Sequence, residues 1–335
     1  MRVDVVDETG TEAAPLLRVR DLSVRVGEVT PVRGVDLDLP PGGRMAVVGE
    51  SGSGKSLTAL AIMGLLKPPL TVEGSIVLDG VELLDLSPRQ LAAMRGGSLA
   101  MVYQDPMSSL NPVYSIGRQI VECIRLHEDV SRAVARRRAI DLLHEVGIAD
   151  PERRVDSYPH ELSGGMRQRV MIAMALSAEP KLLIADEPTT ALDVTTQARI
   201  VDLMRRISED RGTAVVFITH DLAIAARFCD QVAVMYGGRV VEFGEAEPTY
   251  DDPRHPYTRA LLGSMCRLDG DVNELLPTIP GSPPLPAELP TGCSFRPRCP
   301  RAEEVCAEVF PPTVITDPGP RPHGAECHFA QEGMR

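Results

Sequence analysis

The octapeptide "GESGSGKS" at residues 49–56 decides how the first part of this chain folds. It fits the pattern G-x-x-x-x-G-K-[ST] and lies between the apolar run "RMAVVG" (44–49) and the helical pattern "SLTALAIMGLL" (56–66). Glycines let successive backbone N–H groups curl around phosphate oxygens, and the N-terminus of the helix adds its positive dipole. The order of strand, loop and helix therefore predicts a phosphate-binding loop.

Two side chains of this loop are expected to act on a bound nucleotide. Lys55 supplies a positive charge to the β and γ phosphates, and Ser56 offers a hydroxyl to Mg²⁺. The predicted nucleotide-binding residues of the loop and the start of its helix are Gly49, Ser51, Gly52, Gly54, Lys55, Ser56 and Leu57.

Three further apolar runs predict strands of the same sheet: "SLAMVYQ" (98–104), "KLLIAD" (181–186) and "TAVVFITH" (213–220). Their nearly continuous apolar character is typical of parallel strands that are buried on both faces. Short apolar runs alternate with helical patterns as far as about residue 250, which favours an α/β fold. The runs end in polar residues, and ligands of open α/β sheets bind at the carboxyl ends of strands. We therefore expect one shared site.

The polar residues at these strand ends have the chemistry of nucleotide hydrolysis. Asp186 is positioned to hold Mg²⁺, directly or through water, and the adjacent Glu187 to polarise the attacking water as general base. His220 is a suitable hydrogen-bond donor to the γ-phosphate. Gln104 carries an amide that can orient water or contact the metal.

The segment "ELSGGMRQRVMIAMAL" (161–176) predicts a second anion site. Ser163 is a natural N-cap of the helix that follows, and Gly164 and Gly165 expose backbone N–H groups. The first loop already accounts for the chain's own nucleotide. The second site is explained if it contacts an ATP molecule that is held by another subunit.

Composition limits the classes of protein that the chain can belong to. A net charge of −12 argues against a nucleic-acid partner, because neutralising phosphates requires a basic face. Residues 1–15 are polar and lack the apolar core of a secretory signal, and no run approaches the roughly 18 to 20 apolar residues that span a bilayer. We expect a soluble, intracellular protein with a mobile leader at residues 1–15.

The motifs "GESGSGKS", "YQDP", "LSGGMRQR", "LLIADEP", "ALD" and "THD" occur in an order that resembles the nucleotide-binding subunits of ABC transporters. The resemblance covers roughly residues 17–250 and implies a mostly parallel sheet core with an antiparallel β portion. It also implies a helical subdomain at about residues 105–165, within an ATPase domain at residues 16–250. Two such domains pair head to tail in this family.

For the site, the resemblance implies that Ser163 and Gly165 contact the γ-phosphate that the partner's loop binds. It further implies that Asp193 crosses the dimer seam and that Gln104 links the site to the membrane contact. The family offers an aromatic residue near the end of its first strand to stack on adenine, whereas this chain has Val26 there. We expect weak stacking, or stacking by Arg25, and modest selectivity for the base.

The remaining part, residues 251–335, is expected to be a C-terminal extension in which a proline-rich tether at residues 278–292 leads to a small Pro- and Cys-rich module. The strings "HPYTRALLGS" (255–264) and "PTGCSFRPRCPRAEEVC" (290–306) resemble the C-terminal extension of oligopeptide and dipeptide importer ATPases. Nickel importers share parts of it. An importer of nickel or another small solute, and a soluble ABC ATPase without a membrane partner, are the alternatives.

The importer resemblance implies four kinds of subunit around the membrane. The chain is expected on the cytoplasmic face, bound peripherally to two transmembrane permease subunits. A second nucleotide-binding subunit, which we expect to be a related chain in a heterodimer, completes the ATP sites. An extracytoplasmic solute-binding protein acts indirectly, and no nucleic acid takes part.

Four cysteines, Cys293, Cys299, Cys306 and Cys327, follow the spacing C-x5-C-x6-C-x20-C. No C-x2-C pair is present, which disfavours zinc, and disulfides fit poorly inside a cell. Four thiolates can hold a [4Fe–4S] cluster, the resembled importers carry cysteines at similar spacing, and "FRPRCPR" (295–301) would add cations near it. A zinc site and four free thiols are the alternatives for these cysteines. The other cysteines, Cys123, Cys229 and Cys266, are interpreted as small apolar residues.

Overall fold

The structure is a computed structural model and describes residues 14–105, 109–190, 192–264, 278–319 and 321–332. Most of the predicted leader and Cys266 lie outside the described residues. The strands are β1 (Leu17–Val26), β2 (Val29–Leu39), β3 (Arg44–Val48), β4 (Thr71–Leu78), β5 (Val81–Glu82), β6 (Leu99–Val102), β7 (Leu182–Asp186), β8 (Ala214–Thr219), β9 (Gln231–Tyr236), β10 (Arg239–Glu245), β11 (Thr313–Asp317) and β12 (His323–Glu326).

The helices are α1 (Lys55–Ile62), α2 (Pro88–Met94), α3 (Ile116–His127), α4 (Arg132–Glu145), α5 (Pro151–Arg154), α6 (Gly164–Leu176), α7 (Val194–Arg211), α8 (Leu222–Phe228), α9 (Ala246–Asp251), α10 (Pro256–Gly263) and α11 (Val305–Glu308). No helix within the described ranges is both long and apolar enough to cross a membrane. The chain divides into two compact units, one of residues 1–84 and 217–335 and the other of residues 85–216. The domain boundaries predicted from the sequence stay predictions.

The first unit contains two groups of strands. Strands β2, β1, β4 and β5 form an antiparallel sheet in that order, and its inward side chains include Leu17, Leu39 and Leu78, all of which are fully buried. The second group begins with β3, which pairs in parallel with β9, and β9 forms an antiparallel hairpin with β10. This group is the part that supports the phosphate loop, because the loop follows β3 directly.

The C-terminal residues extend this second group of strands. Strand β12 pairs antiparallel with β10, where Glu242 lies opposite Ala325 and Phe243 opposite Gly324, and β11 pairs with β12. The sequence predicts a module on a tether, whereas the structure adds its last two strands to the sheet of the first unit. The small core at Ala325 explains the difference, because a segment of this size buries too little apolar surface alone.

The second unit contains the parallel pair β6 and β7, in which Leu99 lies opposite Leu182. Every residue of β6, β7 and β8 is buried, as the continuous apolar runs predict for parallel strands. Helices α3 and α4 occupy the predicted helical stretch, and Ser115 and Ser131 cap them by accepting backbone N–H bonds.

The helix after the phosphate loop is shorter than its sequence pattern predicts. Helix α1 ends at Ile62 rather than continuing to Leu66. Gly64 has a φ of 59°, in the left-handed region that ends helices, and prolines follow at 68 and 69.

Candidate active site

The phosphate loop adopts a conformation that only glycine permits at two positions. A Cβ atom at Gly49 would lie 2.2 Å from the carbonyl oxygen of Met235, so the backbone of β9 approaches the loop closely. Gly54 has a φ of 105° at the N-cap of α1. These positions explain why the loop needs glycine before and within its turn.

Lys55 lies inside the loop with 5% of its surface exposed. Its Nζ donates hydrogen bonds to the carbonyl oxygens of Gly49, at 2.8 Å, and Glu50, at 2.9 Å. The ammonium group is therefore held against the inner face of the loop, where phosphates would bind. Ser51, Gly52 and Ser56 are exposed, and Leu57 is half-buried. Ser53 presents a buried hydroxyl without a hydrogen-bond partner among the described residues, which fits a loop built for an anion.

His220 is presented by the turn between β8 and α8. Thr219 Oγ1 accepts a hydrogen bond from the N–H of Asp221, and Asp221 caps α8 by accepting from Ala223 and Ile224. These bonds fix the turn on both sides of His220, whose side chain is exposed. The position directly after a buried strand agrees with the sequence prediction.

The second unit brings Gln104 and Glu187 together. Gln104 Nε2 donates to Glu187 Oε2 at 3.1 Å, and Thr190 Oγ1 donates to the same oxygen at 2.9 Å. Asp186 is the last residue of β7 and is buried. Glu187 has a φ of 45°, a left-handed backbone that costs energy for a residue with a side chain and is concentrated at functional sites.

The predicted second anion site is also assembled within the second unit. Ser163 caps α6, because its Oγ accepts from the N–H of Met166 at 3.3 Å. Asp193 caps α7 and accepts from the N–H and the hydroxyl of Thr196, at 3.0 and 2.7 Å. Both hydrogen bonds hold the pKa of Asp193 below its ordinary value. A Cβ atom at Gly165 would lie 2.8 Å from Cγ2 of Thr196, so only glycine fits between the two helix starts.

These two helix starts line one open cleft of about 540 Å³. Ser163, Gly164, Gly165 and Asp193 all contribute to it, so the structure brings these four predicted residues together. Three arginines also line the cleft, and sequence reasoning did not assign them to the site: Arg154, Arg169 and Arg199. Their charge suits the phosphates of a nucleotide. The string "LSGGMRQR" includes Arg169, but nothing in the sequence indicated the other two.

The four C-terminal cysteines line a single small cavity of the first unit. None of the four forms a disulfide. Cys306 and Cys327 are buried, and burial raises the pKa of the Cys293 thiol to about 11. Backbone N–H groups hydrogen-bond to the sulfurs of Cys293, Cys299 and Cys327 and counteract that rise. Such donors are what a thiolate ligand of a metal needs.

Within the described part of the chain, no three His, Cys, Asp or Glu side chains are grouped closely enough to hold one metal ion. A cluster of four irons differs in this respect, since each thiolate binds its own iron. The cationic side chains of "FRPRCPR" do not all face the cysteines. Arg296 and Arg301 line their cavity, whereas Arg298 pairs with Glu50 of the phosphate loop.

The other cysteines that the structure describes agree with an apolar role. Cys229 is buried, and burial raises its pKa well above the ordinary value. Cys123 is half-buried, and burial raises its pKa as well. Val26 ends β1, as the sequence predicts, and the neighbouring Arg25 forms an exposed ion pair with Glu73 at 3.7 Å.

Comparison with known proteins agrees with these motifs. A family model described as ABC transporter matches residues 32–190, and one described as the C-terminal region of oligopeptide/dipeptide transporters matches residues 241–306. The chain is 48% identical over 331 residues to a probable peptide ABC transporter ATP-binding protein of Sinorhizobium fredii, covering 97% of this chain and 98% of that protein.

It is also 47% identical to the oligopeptide transport ATP-binding protein OppD of Salmonella typhimurium, over 94% of this chain and 96% of that protein. Among solved structures, a dimeric post-hydrolysis state of an ATP-binding cassette with ADP and Pi is 28% identical. It superposes with a TM-score of 0.62 and covers 69% of this chain and 98% of that one.

Proposed function

Because this chain belongs to the ABC transporter family, as an ATP-binding subunit of the oligopeptide and dipeptide branch, we propose that it is the ATP-hydrolysing motor of a peptide importer. The observation that carries the proposal is the presence, in one chain, of a phosphate loop, the Gln104–Glu187 pair and the cleft at Ser163–Gly165.

The proposed roles follow from the local geometry of each part. Lys55 binds the β and γ phosphates, and Glu187, oriented by Gln104 and Thr190, takes a proton from the attacking water. His220 donates to the γ-phosphate. Ser56, Gln104 and Asp186 are the oxygen ligands proposed for Mg²⁺, a hard cation that prefers such donors and neutralises phosphate charge when bound.

The cleft at Ser163–Gly165 is proposed to contact the nucleotide of a partner chain. A helix N-terminus with exposed N–H groups and three arginines along the cleft favours an anion, while the chain's own phosphate loop already serves one nucleotide. We propose a related chain as that partner and two permease subunits that bind this chain at the cytoplasmic face of the membrane. A separate solute-binding protein would select the solute.

We further propose that the four C-terminal cysteines hold a [4Fe–4S] cluster. Their shared cavity, their backbone N–H donors and the two arginines beside it support this proposal. The cluster would act as a cross-link between segments that bury little apolar surface alone. A cluster bound by all four cysteines would join these segments at four positions.

Transport in cells tests the proposed function. Lys55→Ala should abolish ATP-dependent uptake of labelled oligopeptides in cells that depend on this chain, while Lys67→Ala, at an exposed lysine after α1, should leave uptake intact. The uptake of labelled nickel ions, measured in the same cells, distinguishes a nickel importer from a peptide importer. Lys55-dependent uptake of nickel and not of peptides would refute the peptide assignment.

A further inference from the structure

Arg298 of the cysteine-rich segment binds the second residue of the phosphate loop. Its Nη1 and Nη2 lie 2.6 and 3.0 Å from the two carboxylate oxygens of Glu50, a two-pronged ion pair. The Arg298 side chain is 5% exposed, and its Nε donates to the carbonyl oxygen of Pro280 at 2.8 Å. Bidentate arginine–carboxylate pairs fix geometry as well as charge, and this one is largely shielded from water.

Glu50 is held at its backbone too. Its N–H donates to the hydroxyl of Tyr257 at 2.8 Å, and its carbonyl oxygen accepts from Lys55 Nζ at 2.9 Å. Tyr257 is fully buried, and its ring packs against those of Tyr236 and Phe295, with centroids 4.6 and 5.4 Å away. Side chain, N–H and carbonyl of one loop residue are therefore all fixed, and two of these three partners come from the C-terminal part of the chain.

The short 3₁₀ turn that carries Arg298 spans Arg296–Arg298, between Cys293 and Cys299. The N–H of Arg298 donates to Phe295, and the N–H of Cys299 donates to Arg296. A second contact runs alongside, because Arg33 donates to both the hydroxyl of Ser294 and the carbonyl oxygen of Gly237. The segment between the first two cysteines is thus attached to the surroundings of the phosphate loop at two points.

We propose that Arg298 is a positioning residue of the ATPase, which fixes Glu50 and so holds the phosphate loop in the conformation that binds nucleotide. The loop contributes backbone N–H groups to phosphate binding, and their directions depend on how each loop residue is held. A loop ordered before ATP arrives loses less conformational entropy on binding and binds more tightly. Arg298 lies too far from Glu50 in the sequence for any motif to reveal the pair.

The test measures ATP affinity and turnover separately, with the full-length chain. Arg298→Gln should weaken the binding of Mg-ATP, raising its Kd by about tenfold and KM by a similar factor. The change in kcat at saturating ATP should be smaller. Arg298→Lys keeps the charge without the two-pronged geometry and should fall in between. Arg89→Gln is the control. Arg89 is an exposed arginine of α2 and belongs to none of the proposed sites, so the Kd of this variant should stay within about twofold of that of the unaltered chain.

A second variant keeps the proposal testable if Arg298→Gln does not fold. Glu50→Gln removes the same ion pair from the loop side and should weaken ATP binding to a similar degree. The double variant should lose little more than either single one, because both remove one interaction. The melting temperature without nucleotide is measured for each. A lowered melting temperature with Kd and KM within about twofold of the unaltered chain would show a purely structural role and overturn the proposal.

Discussion

Gln104 Nε2 lies 3.1 Å from Glu187 Oε2. This hydrogen bond sets the direction of the carboxylate of Glu187, the residue directly after β7. Thr190 donates to the same oxygen, so two neutral donors hold this oxygen of Glu187. The left-handed backbone at Glu187 supports the same conclusion, because a strained conformation persists only where its surroundings hold it. The carboxylate is oriented before any substrate binds.

Glu187→Gln should reduce kcat for ATP hydrolysis by about 10²–10⁴-fold, because the amide cannot accept the proton of the attacking water. ATP binding should be retained, since the phosphate loop is unchanged. Phosphate release at saturating ATP gives kcat, and equilibrium binding gives the affinity.

Glu179→Gln is the matched control for that variant. Glu179 is an exposed glutamate with a similar left-handed φ of 54°, and its variant should hydrolyse ATP at the normal rate. An unchanged rate in Glu187→Gln would show that the general base is another group.

Gly165→Ala should disrupt the cleft at Ser163–Gly165. The added methyl group would lie 2.8 Å from Cγ2 of Thr196, so the start of α6 and the Asp193 cap of α7 would have to separate. We expect hydrolysis by the assembled transporter to fall by about one to two orders of magnitude. Binding of ATP to the separate chain should change by less than about twofold, because the cleft is proposed to serve the partner's nucleotide.

Gly263→Ala is a suitable control, since a Cβ atom there meets nothing within 4 Å. Its hydrolysis rate and stability should match those of the unaltered chain. Gly165→Ala could instead weaken ATP binding to the separate chain as much as it reduces hydrolysis by the transporter. That result would contradict the proposal that the phosphate loop binds the chain's own nucleotide and the cleft at Ser163–Gly165 contacts the partner's.

The sequence predicts the parts of this site that are local and misses the parts that depend on distant residues. The buried runs before Gly49, Gln104, Asp186 and His220 are strands in the structure, because a continuous apolar run and the loop after it are encoded within one short segment. The N-cap at Ser163 is equally local.

The pairing of β12 with β10 and of Arg298 with Glu50 lies outside what such patterns encode. Strand register in a sheet and the partner of a buried arginine are set by tertiary packing, for which a single sequence gives no periodic signal. The string "HPYTRALLGS" illustrates both sides: its helix could be predicted, but not the hydrogen bond from Glu50 to Tyr257.

Selectivity for adenine should be modest, because Val26 stands where an aromatic residue would stack on the base. Arg25, the alternative, is paired with Glu73 and half-exposed, which limits its use as a stacking surface. We expect Kd values for ATP and GTP that differ by less than about a hundredfold, or 2.7 kcal/mol. Val26→Tyr should tighten ATP binding by about 0.5–1.5 kcal/mol through stacking. Competition between ATP and GTP for the chain measures both, and a larger natural preference for ATP would contradict this expectation.

His255 should make the stability of the chain depend on pH between about 4 and 6.5. Burial lowers its pKa from 6.5 to about 4, against the opposing effect of Glu242, and its neutral Nδ1 accepts the N–H of Tyr257 at 3.1 Å. The unfolded chain binds a proton at His255 below pH 6.5, whereas the folded chain binds it only below about 4. The free energy of unfolding therefore falls as the pH drops through this range, by about 3 kcal/mol in full.

His255→Asn keeps an oxygen that can cap α10 and removes the titration. Its unfolding free energy, measured by denaturant titration from pH 4 to 7, should show a flatter dependence on pH than that of the unaltered chain. His144→Asn, at an exposed histidine, should keep the original slope. Parallel slopes for the unaltered chain and His255→Asn would show that His255 is not the group responsible.

The four-cysteine cavity should yield about four irons and four sulfides per chain when the protein is purified without oxygen. Thiols with raised pKa values must lose their protons to bind metal, so the cluster should be lost more readily as the pH falls. Cys299→Ala should lose the iron and the dithionite-sensitive visible absorbance, whereas Cys123→Ala, on α3, should keep both. Chelation of the iron should lower the melting temperature, because the segment would lose its cross-link. One zinc per chain and no iron would refute the cluster while keeping a metal cross-link, and neither metal would leave four free thiols.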